Sequence, residues 1–355
     1  MNGRAFDAQV VLSPPESRLG KLLQQYVCAR LVSMNDIDFA LFDFDRHNAL
    51  YYFVMNADEQ IYMRYGGRDA ESSSTYLNIR SLELALQQGL DLHKRQSEIQ
   101  FPPKPEPRFP EELKNLKART LDKNLCVECH LIADFQLQTK EAEGTLDPIR
   151  DLYRSPDIKR IGIYLKVPRG LLVNEAKGAV ADAGMKSGDI ITHFQGKRVW
   201  TFADLQYVYD KLPRNSKSMK LTVDRDGRTI ELMVDLPERW WFNYLDFRYW
   251  TVEPKTYFKT KPLTKAEKEE LGFEVDGFAS RVSEIDPYQD FSQPAWKAGD
   301  IVFGVEGVYS DKIADTPDLH IKLRYEAGEV LQIEMMRDGK KFTSELETER
   351  QSFRK

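Results

Sequence analysis

The 355-residue chain has little cysteine: only Cys28, Cys126 and Cys129. Three cysteines cannot form the disulfide framework of a small secreted domain. No apolar run approaches the roughly 20 residues of a membrane-spanning helix, so we expect no transmembrane segment. The first twenty residues also lack the basic and apolar blocks of an export signal. The sequence therefore predicts a cytoplasmic protein, or a periplasmic or cell-envelope protein if a signal lies upstream of Met1.

An excess of positive charge and the common catalytic motifs are also missing. The 51 Lys and Arg residues are outnumbered by 56 Asp and Glu residues, and the two signs are interspersed, so no nucleic-acid partner is expected. The sequence contains no Gly-x-Ser-x-Gly elbow, His-Glu-x-x-His helix, phosphate loop or dinucleotide fingerprint, so no catalytic residue is predicted. The length and the 41% of hydrophobic residues are typical of a globular protein of two or three domains.

The first hundred residues show an α/β order of elements. Leucines at helical spacing in residues 17 to 25 predict a short helix after Pro14-Pro15. The next stretch, YVCARLV (26 to 32), is rich in strand-forming side chains and predicts a buried strand. In that position Cys28 is interpreted as a small buried hydrophobic residue.

A hairpin and a helix follow this predicted strand. Two β-rich runs, 49 to 55 and 60 to 66, flank a polar turn, and residues 74 to 95 predict an amphipathic helix. The order of these elements and the segment FDFDRHNALYYFVMNADEQIYMRYGGRD resemble the thioredoxin-like part of a bacterial family that joins such a domain to PDZ domains. Some members of that family are described as selenoproteins. The resemblance implies a partial, truncated thioredoxin-like domain over residues 1 to 100. Its working dithiol is missing, because no Cys-x-x-Cys occurs before residue 126.

A proline-rich stretch marks the end of this domain. FPPKPEPRFP (101 to 110) has five prolines, which remove amide donors and favour an extended spacer. Residues 111 to 155 are polar and show few signals of strands or long helices. We interpret 101 to 155 as a linker with a small insert that carries the motif CVECH (126 to 130).

The second half of the chain contains an internal repeat. Three pairs of similar blocks are separated by 110 to 112 residues: RIGIYL (160 to 165) and ELGFEV (270 to 275), AGMKSGDIITHFQGK (183 to 197) and PAWKAGDIVFGVEGV (294 to 308), VDRDGRTIEL (223 to 232) and MMRDGKKFTS (335 to 344). A near-constant offset over three blocks predicts two copies of one domain. We call residues 156 to 238 copy 1 and residues 269 to 348 copy 2.

The repeated blocks resemble PDZ domains of the kind attached to bacterial high-temperature-requirement (HtrA) proteases. In that family the glycine that opens a strand, here Gly162 and Gly272, presents backbone amides to a ligand's terminal carboxylate, and the strand edge accepts an extended peptide. The resemblance implies a peptide site in copy 1 made of Ile161, Gly162, Ile163, Tyr164, Leu205 and Val208. In copy 2 the corresponding helix would supply Leu319 and Leu323. Packing against a neighbouring domain is the alternative role.

Two further stretches modify this interpretation. The insertion DGFASRVSEIDPYQDFSQ (276 to 293) separates the predicted strand of copy 2 from its turn, which weakens copy 2 as a peptide site. Residues 239 to 268 connect the copies and begin with RWWFNYLDFRYW, which has seven aromatic residues in twelve. This pattern is more typical of a strand that packs two domains together than of the edge of a cofactor site.

The CVECH motif has four interpretations. Cys126 and Cys129 are about one helical turn apart and His130 follows, which is the pattern that attaches haem c through two thiols and an axial imidazole. The motif resembles that of c-type cytochromes, and the family with PDZ domains has Cys-x-x-Cys-His at a similar position. For this interpretation His93 and Met185 are the candidates for the sixth iron ligand.

The other interpretations are a zinc or other transition-metal site, a thioredoxin-type dithiol, and a chemically idle pair. Zinc needs four ligands, so His93 or Asp134 would have to complete the set begun by the motif. A dithiol needs a strand-to-helix turn that lowers the pKa of the first thiol. The remaining histidines are predicted to be structural or on the surface: His47, His193 and His320.

The sequence thus predicts a multidomain fold: a partial thioredoxin-like α/β domain followed by two β-rich, PDZ-like domains with helices. The leading functional hypothesis is an envelope-facing redox, electron-transfer or metal-bearing protein whose copy 1 binds a partner protein or peptide. The first alternative is a non-enzymatic PDZ scaffold with a structural cysteine motif. The second alternative is a thiol–disulfide oxidoreductase.

Overall fold

The computed structural model of the chain describes residues 3 to 243, 252 to 285 and 296 to 350. It has mixed α/β secondary structure with several antiparallel sheets. The contacts divide the chain into two compact units. Unit 1 contains residues 1 to 136 and 153 to 245, and unit 2 contains residues 137 to 152 and 246 to 355.

Unit 1 combines the N-terminal region with copy 1. Its helices are α1 (Gly3–Val11), α2 (Arg18–Leu23), α3 (Ile79–Lys94), α4 (Lys114–Arg119), α5 (Cys129–Ala142, whose last six residues belong to unit 2), α6 (Gly178–Asp182) and α7 (Phe202–Asp210). Its strands are β1 (Tyr51–Met55), β2 (Ile61–Gly66), β3 (Ile163–Leu165), β4 (Val173–Ala176), β5 (Ile190–Phe194), β6 (Lys197–Arg198), β7 (Ser218–Arg225) and β8 (Arg228–Asp235).

Unit 2 contains copy 2. Its strands are β9 (Phe258–Pro262), β10 (Ser280–Ile285), β11 (Ile301–Val305), β12 (Val330–Arg337) and β13 (Lys340–Glu347), and they form one sheet in the order β13-β12-β11-β10-β9. Its helices are α8 (Lys265–Leu271) and α9 (Pro317–Arg324). No helix in the described part of the chain has the length and apolar character that a membrane crossing requires.

The N-terminal region packs its hairpin against two helices. β1 and β2 pair as the sequence predicts, and α2 and α3 form within the two stretches predicted to be helical. α3 begins after Asn78, whose side chain accepts the amide of Arg80, which is a standard helix N-cap. The core between these elements includes Phe6, Met63 and Leu82.

The buried strand predicted for residues 26 to 32 is wrong. The segment has no regular structure, Val27 and Val32 are 102% and 82% exposed, and Cys28 is exposed. Strand-forming side chains need a neighbouring strand to pair with and a core to pack on. Here β1 and β2 pair with each other in a sheet of two strands, and Tyr26 packs on the core while residues 27 to 32 are exposed.

The two copies share the turn that was predicted from their sequence repeat. In copy 1 Arg225 donates two hydrogen bonds to Asp189, at 2.6 and 2.8 Å, and in copy 2 Arg337 binds Asp300 in the same way, at 2.7 and 2.7 Å. In both copies the carboxylate also accepts the backbone amide three residues before it. Such two-point pairs fix both position and orientation.

The copies differ where the glycine was predicted to open a strand. In copy 1 Gly162 ends a short helical turn and β3 follows. In copy 2 the strand predicted for residues 270 to 275 is wrong, because α8 continues to Leu271 and Gly272 is its left-handed C-terminal residue. The strand beside β10 is β9, which precedes α8 in the chain.

Residues 111 to 155 are more helical than predicted. They contain α4 and the 14-residue α5, and Leu113, Leu116 and Ile132 are buried. Residues 239 to 243 form a turn and not the predicted strand, and the rest of the aromatic stretch, 244 to 250, lies outside the described residues. Residues 286 to 293 of the predicted insertion lie outside them as well.

Candidate functional site

The CVECH motif lies at the start of α5, and the backbone hydrogen bonds of Val127 fix its position. The amide of Val127 donates to the side chain of Asn35 at 2.8 Å, and its carbonyl accepts the amide of Met34 at 3.0 Å. Val127 is buried, so Cys126 on one side of it projects outward and is exposed. Cys129 is the first residue of α5 and is half-buried, and all three cysteines are free thiols.

His130 is held between two carboxylates. Its Nδ1 lies 3.3 Å from Oδ2 of Asp134, one helical turn further along α5, and its Nε2 lies 2.8 Å from Oε2 of Glu128. Asp134 is buried, whereas the Glu128 side chain is 70% exposed. The hydrogen bond with Asp134, opposed by partial burial and helped by Glu128, raises the pKa of His130. Nδ1 of His130 therefore has a buried partner, Asp134, and Nε2 has an exposed partner, Glu128.

Behind Asp134 a row of neighbouring polar side chains continues into the interior of unit 1. Oδ1 of Asp134 lies 3.7 Å from Nε2 of His47, and Nδ1 of His47 lies 3.1 Å from Oδ1 of Asp45. The other oxygen of Asp45 accepts Nε of Arg68 at 2.6 Å, and both of these side chains are almost fully buried. No motif in the sequence pointed to Asp45 or Arg68. Their only signal was the pair of polar segments DFDRH and GGRD at the two ends of an apolar hairpin.

Cys129 lies close to a second buried cation. Arg46 is 4% exposed, and its guanidinium donates to the carbonyls of Phe39 and Phe42, at 3.0 and 3.2 Å. Burial lowers the pKa of Arg46 to about 10, with Asp43 among the neighbours that oppose the shift. Burial raises the pKa of the Cys129 thiol, although Arg46 acts in the opposite direction. The half-buried position therefore favours a neutral sulfur at Cys129.

The other predicted ligands have different surroundings. His93 is near the end of α3, and its Nδ1 lies 2.9 Å from the hydroxyl of Tyr62. Met185 is buried in the turn that follows α6 in copy 1. The structure thus brings Cys129, His130 and Asp134 together on α5, and it gives His93 a different partner. Within residues 3 to 243, 252 to 285 and 296 to 350, no three His, Cys, Asp or Glu residues are arranged to hold a metal ion.

The residues predicted for a peptide site in copy 1 are largely engaged within the chain. The amide of Gly162 donates to the carbonyl of Lys159 at 3.0 Å, and its own carbonyl accepts the amide of Lys177 at 2.9 Å. Tyr164 is half-buried, with the Lys177 ammonium 5.0 Å from its ring centre. Three more of the predicted residues are buried, Ile161, Ile163 and Leu205, and Val208 is half-buried.

The helix of this predicted site binds the N-terminal region. The amide of Arg64 donates to Oδ1 of Asp204 at 2.9 Å, and the carbonyl of Arg64 accepts the hydroxyl of Thr201. Gln206 donates its side-chain amide to the carbonyl of Arg68 at 2.7 Å. α7 therefore holds the backbone of β2 and of the residues after it, in the manner in which a protein holds a bound peptide.

Apolar contacts extend this interface along α7. The ring of Phe202 stacks on the ring of Tyr76, and a side chain at Gly67 would lie 2.5 Å from Phe202. Asp204 is buried in the interface, and burial raises its pKa to about 6 despite the amides that it accepts. Nothing in the sequence pattern indicated this pairing, because its two sides are about 140 residues apart.

The similarity to solved structures given below covers less than half of the chain. No protein-family model matches the chain, and no curated protein matches it significantly. Similar solved structures include the HtrA-type protease AlgW with a tripeptide (13% identity, TM-score 0.24, 45% of this chain and 58% of that chain) and with a decapeptide (14%, 0.23, 47% and 56%). A variant of AlgW with a decapeptide is 11% identical, with a TM-score of 0.25 over 38% of this chain and 42% of that chain. The match spans about half the length of these proteases, and scores this low do not establish a shared fold.

Proposed function

We propose that the chain is an envelope-facing electron-transfer protein with two PDZ-like copies, and that its CVECH motif carries one covalently attached haem c. The observation that carries this proposal is the orientation of His130. A histidine that binds a metal almost always holds a carboxylate or carbonyl with its other ring nitrogen. Buried Asp134 has this role at Nδ1, and the exposed Glu128 can move away from Nε2.

The state of the sulfur favours haem over the alternatives. Attachment to haem c converts each cysteine into an uncharged thioether, and burial of Cys129 favours an uncharged sulfur. A zinc site instead needs thiolates, and a dithiol oxidoreductase needs a thiol of lowered pKa. Zinc and thiol–disulfide exchange are therefore the alternative chemistries for the same three side chains.

Each residue of the site has a defined role in this proposal. Cys126 and Cys129 would hold the porphyrin, and His130 would be the axial ligand. Asp134 would fix the tautomer and the orientation of the His130 ring. Nε2 of His47 lies 3.7 Å from the other oxygen of Asp134 and would help to hold that carboxylate in place. The haem would supply one-electron transfer, and its covalent attachment requires export from the cytoplasm.

Haem attachment can be tested by producing the full chain with an export signal and a cytochrome c maturation system. We expect a Soret absorption band that survives acid-acetone extraction, and we expect its loss in Cys126→Ser and Cys129→Ser. Cys28→Ser is the matched control, because Cys28 is exposed and outside the motif, and it should retain the band. Folded, exported protein without covalent haem would contradict the proposal, and zinc found in the same sample would favour the zinc alternative.

A second candidate function is the binding of a partner peptide by copy 1. The observation that favours it is the free edge of β3, which pairs only with β4 among the described strands. An extended peptide can add to such an edge. Residues 64 to 76 already contact α7, so a peptide that reaches this helix would have to displace them.

Competition of this kind can be measured with a panel of C-terminal peptides. Tyr76→Ala removes the ring that stacks on Phe202 and should strengthen peptide binding relative to the unmodified chain. If neither protein binds any peptide, copy 1 is a packing module, and the non-enzymatic scaffold hypothesis loses its binding site there.

A further inference from the structure

Copy 2 has a cleft of about 430 Å³ between the end of α8 and the sheet. Its lining includes Phe273, Phe303, Tyr309, Glu334 and Lys341. Val302 and Met335, the residues adjacent to Phe303 and Glu334, point into the main core. Side chains alternate between the two faces of a sheet, so the cleft lies on the face opposite that core.

Three aromatic rings form one wall of the cleft. The ring centres of Phe273 and Phe303 are 5.0 Å apart, and Tyr309 is nearly parallel to Phe303 at 6.1 Å. The Lys341 ammonium lies 5.0 Å from the centre of Phe303 and 5.7 Å from that of Phe273. Aromatic faces attract cations, and this wall already attracts one that is on an exposed, flexible side chain.

Glu334 gives the cleft an unsatisfied acceptor. Its Oε1 accepts the amide of Gly307 at 2.9 Å, whereas its Oε2 is buried and has no hydrogen-bond partner. A buried carboxylate oxygen without a partner is destabilising and is uncommon in native structures. The oxygen is covered as the side chains stand, so a donor in the cleft would satisfy it after a rotation of the Glu334 carboxylate or of the exposed Tyr309 ring.

The close approach of the Glu334 carboxylate and the Tyr309 ring to β11 depends on a glycine. Gly304 is the cross-strand partner of Glu334, and a Cβ at Gly304 would lie 2.6 Å from Oε2 and 2.8 Å from a ring carbon of Tyr309. Any larger residue at this position would therefore crowd the oxygen and the ring.

Copy 1 shows that the cleft is not a general property of the repeated fold. Both copies have the same irregularity in the pairing of their equivalent strands. At this irregularity copy 1 has Thr192, and its next residue, His193, is opposite Thr222. Copy 2 has Phe303 there, with Gly304 opposite Glu334. Phe303 of the aromatic wall, the glycine at 304 and the acceptor Glu334 thus have no counterpart in copy 1.

We propose that this cleft is a binding site for an organic cation with a guanidinium group, such as an arginine side chain. The planar cation would lie over Phe303 in the place of Lys341 and would donate an N–H to Oε2 of Glu334. A guanidinium suits both contacts, because it stacks on aromatic rings and presents its donors in a plane. The volume is within the range of small-ligand pockets. The proposal is independent of haem attachment at the CVECH motif.

The test uses the full chain and two probes, N-acetyl-arginine amide and its uncharged isostere N-acetyl-citrulline amide, titrated by calorimetry or NMR. We expect the arginine compound to bind saturably and the citrulline compound to bind about tenfold more weakly or not at all. Lys341→Gln removes the competing cation and should strengthen arginine binding several-fold.

Two further variants, at the acceptor Glu334 and at Gly304, should weaken binding. Glu334→Gln should weaken arginine binding about tenfold, because a hydrogen bond to a charged acceptor is lost. Glu345→Gln is the matched control: Glu345 is exposed on β13 outside the cleft lining and should have no effect. Gly304→Ala should also weaken binding. Equal affinity for both probes, no binding even to Lys341→Gln, or full affinity in Glu334→Gln would overturn the proposal.

Discussion

Copy 1 and copy 2 have the same turn with the same ion pair, yet the structure that follows the glycine before each sheet differs. Asp189 with Arg225 and Asp300 with Arg337 have nearly identical geometry. Both glycines end a helical turn in the left-handed conformation, but Gly162 leads directly into β3, whereas no strand follows Gly272 directly. The comparison teaches that the repeat determines the turn, and that the segments outside the repeat determine what surrounds it.

The surroundings also assign different surfaces to the two copies. In copy 1 the helix α7 is engaged by the N-terminal region through Arg64 and Arg68. In copy 2 the outer face of the sheet carries the cleft with Phe303 and Glu334. The two copies therefore differ in their surfaces: α7 of copy 1 is buried against the N-terminal region, and the sheet of copy 2 carries a cleft.

The largest expected difference between the copies is at the two glycines. A Cβ at Gly162 would lie 1.7 Å from the carbonyl oxygen of Lys177, and φ there is +93°, so Gly162→Ala should cost about 4 kcal/mol or more. Gly272 has φ of +73° but open space around it, so Gly272→Ala should cost about 1 kcal/mol. Urea unfolding followed by hydrogen exchange reports each copy separately. Equal costs would mean that the strand start of copy 1 is not held as described.

A pH dependence of stability should report on the buried carboxylate in α7. Burial raises the pKa of Asp204 to about 6, from an ordinary value of 3.8. Between about pH 4 and pH 6 the native state keeps a proton that the unfolded chain has released, so the stability of unit 1 should fall as the pH rises through this window. Two pKa units correspond to about 3 kcal/mol.

The control for this pH dependence removes the carboxylate. Asp204→Asn should reduce the decline, measured by urea unfolding at pH 4, 5, 6 and 7, and should leave the part that comes from Asp157, whose pKa burial also raises. In copy 2 the equivalent position after the helix N-cap is Leu319, but burial raises the pKa of the adjacent Asp318, so unit 2 should have a decline of its own that Asp204→Asn does not change. An undiminished decline of unit 1 in Asp204→Asn would assign it to another group.

The smallest expected difference is at the N-cap threonines. Thr201 and Thr316 both accept the amide of the third helical residue, and the loss of such a cap costs about 1 kcal/mol. Thr201 also donates its hydroxyl to the carbonyl of Arg64. Thr201→Ala should therefore cost about 2 kcal/mol and Thr316→Ala about 1 kcal/mol in urea unfolding. If the two variants lose the same stability, the contact between α7 and the N-terminal region contributes little.

The sequence by itself determined the features that depend on neighbouring residues. The repeat gave the Asp189 and Asp300 turns, two β-rich runs around a polar turn gave the β1–β2 hairpin, and the leucine spacing gave α2. The CVECH motif was also visible, with His130 and Asp134 four residues apart, which brings them together once α5 forms. Such features need only local backbone geometry or a short sequence comparison.

Only the tertiary structure decided which surfaces these elements bury. The exposed segment 26 to 32, the contact of Arg64 with Asp204 and the position of His47 beside Asp134 all depend on residues that are distant in sequence. The same holds for Glu334 and the rings of its cleft. The physical reason is that desolvation and hydrogen bonding act between whatever groups the fold brings together, and a local pattern contains no information about the distant partner.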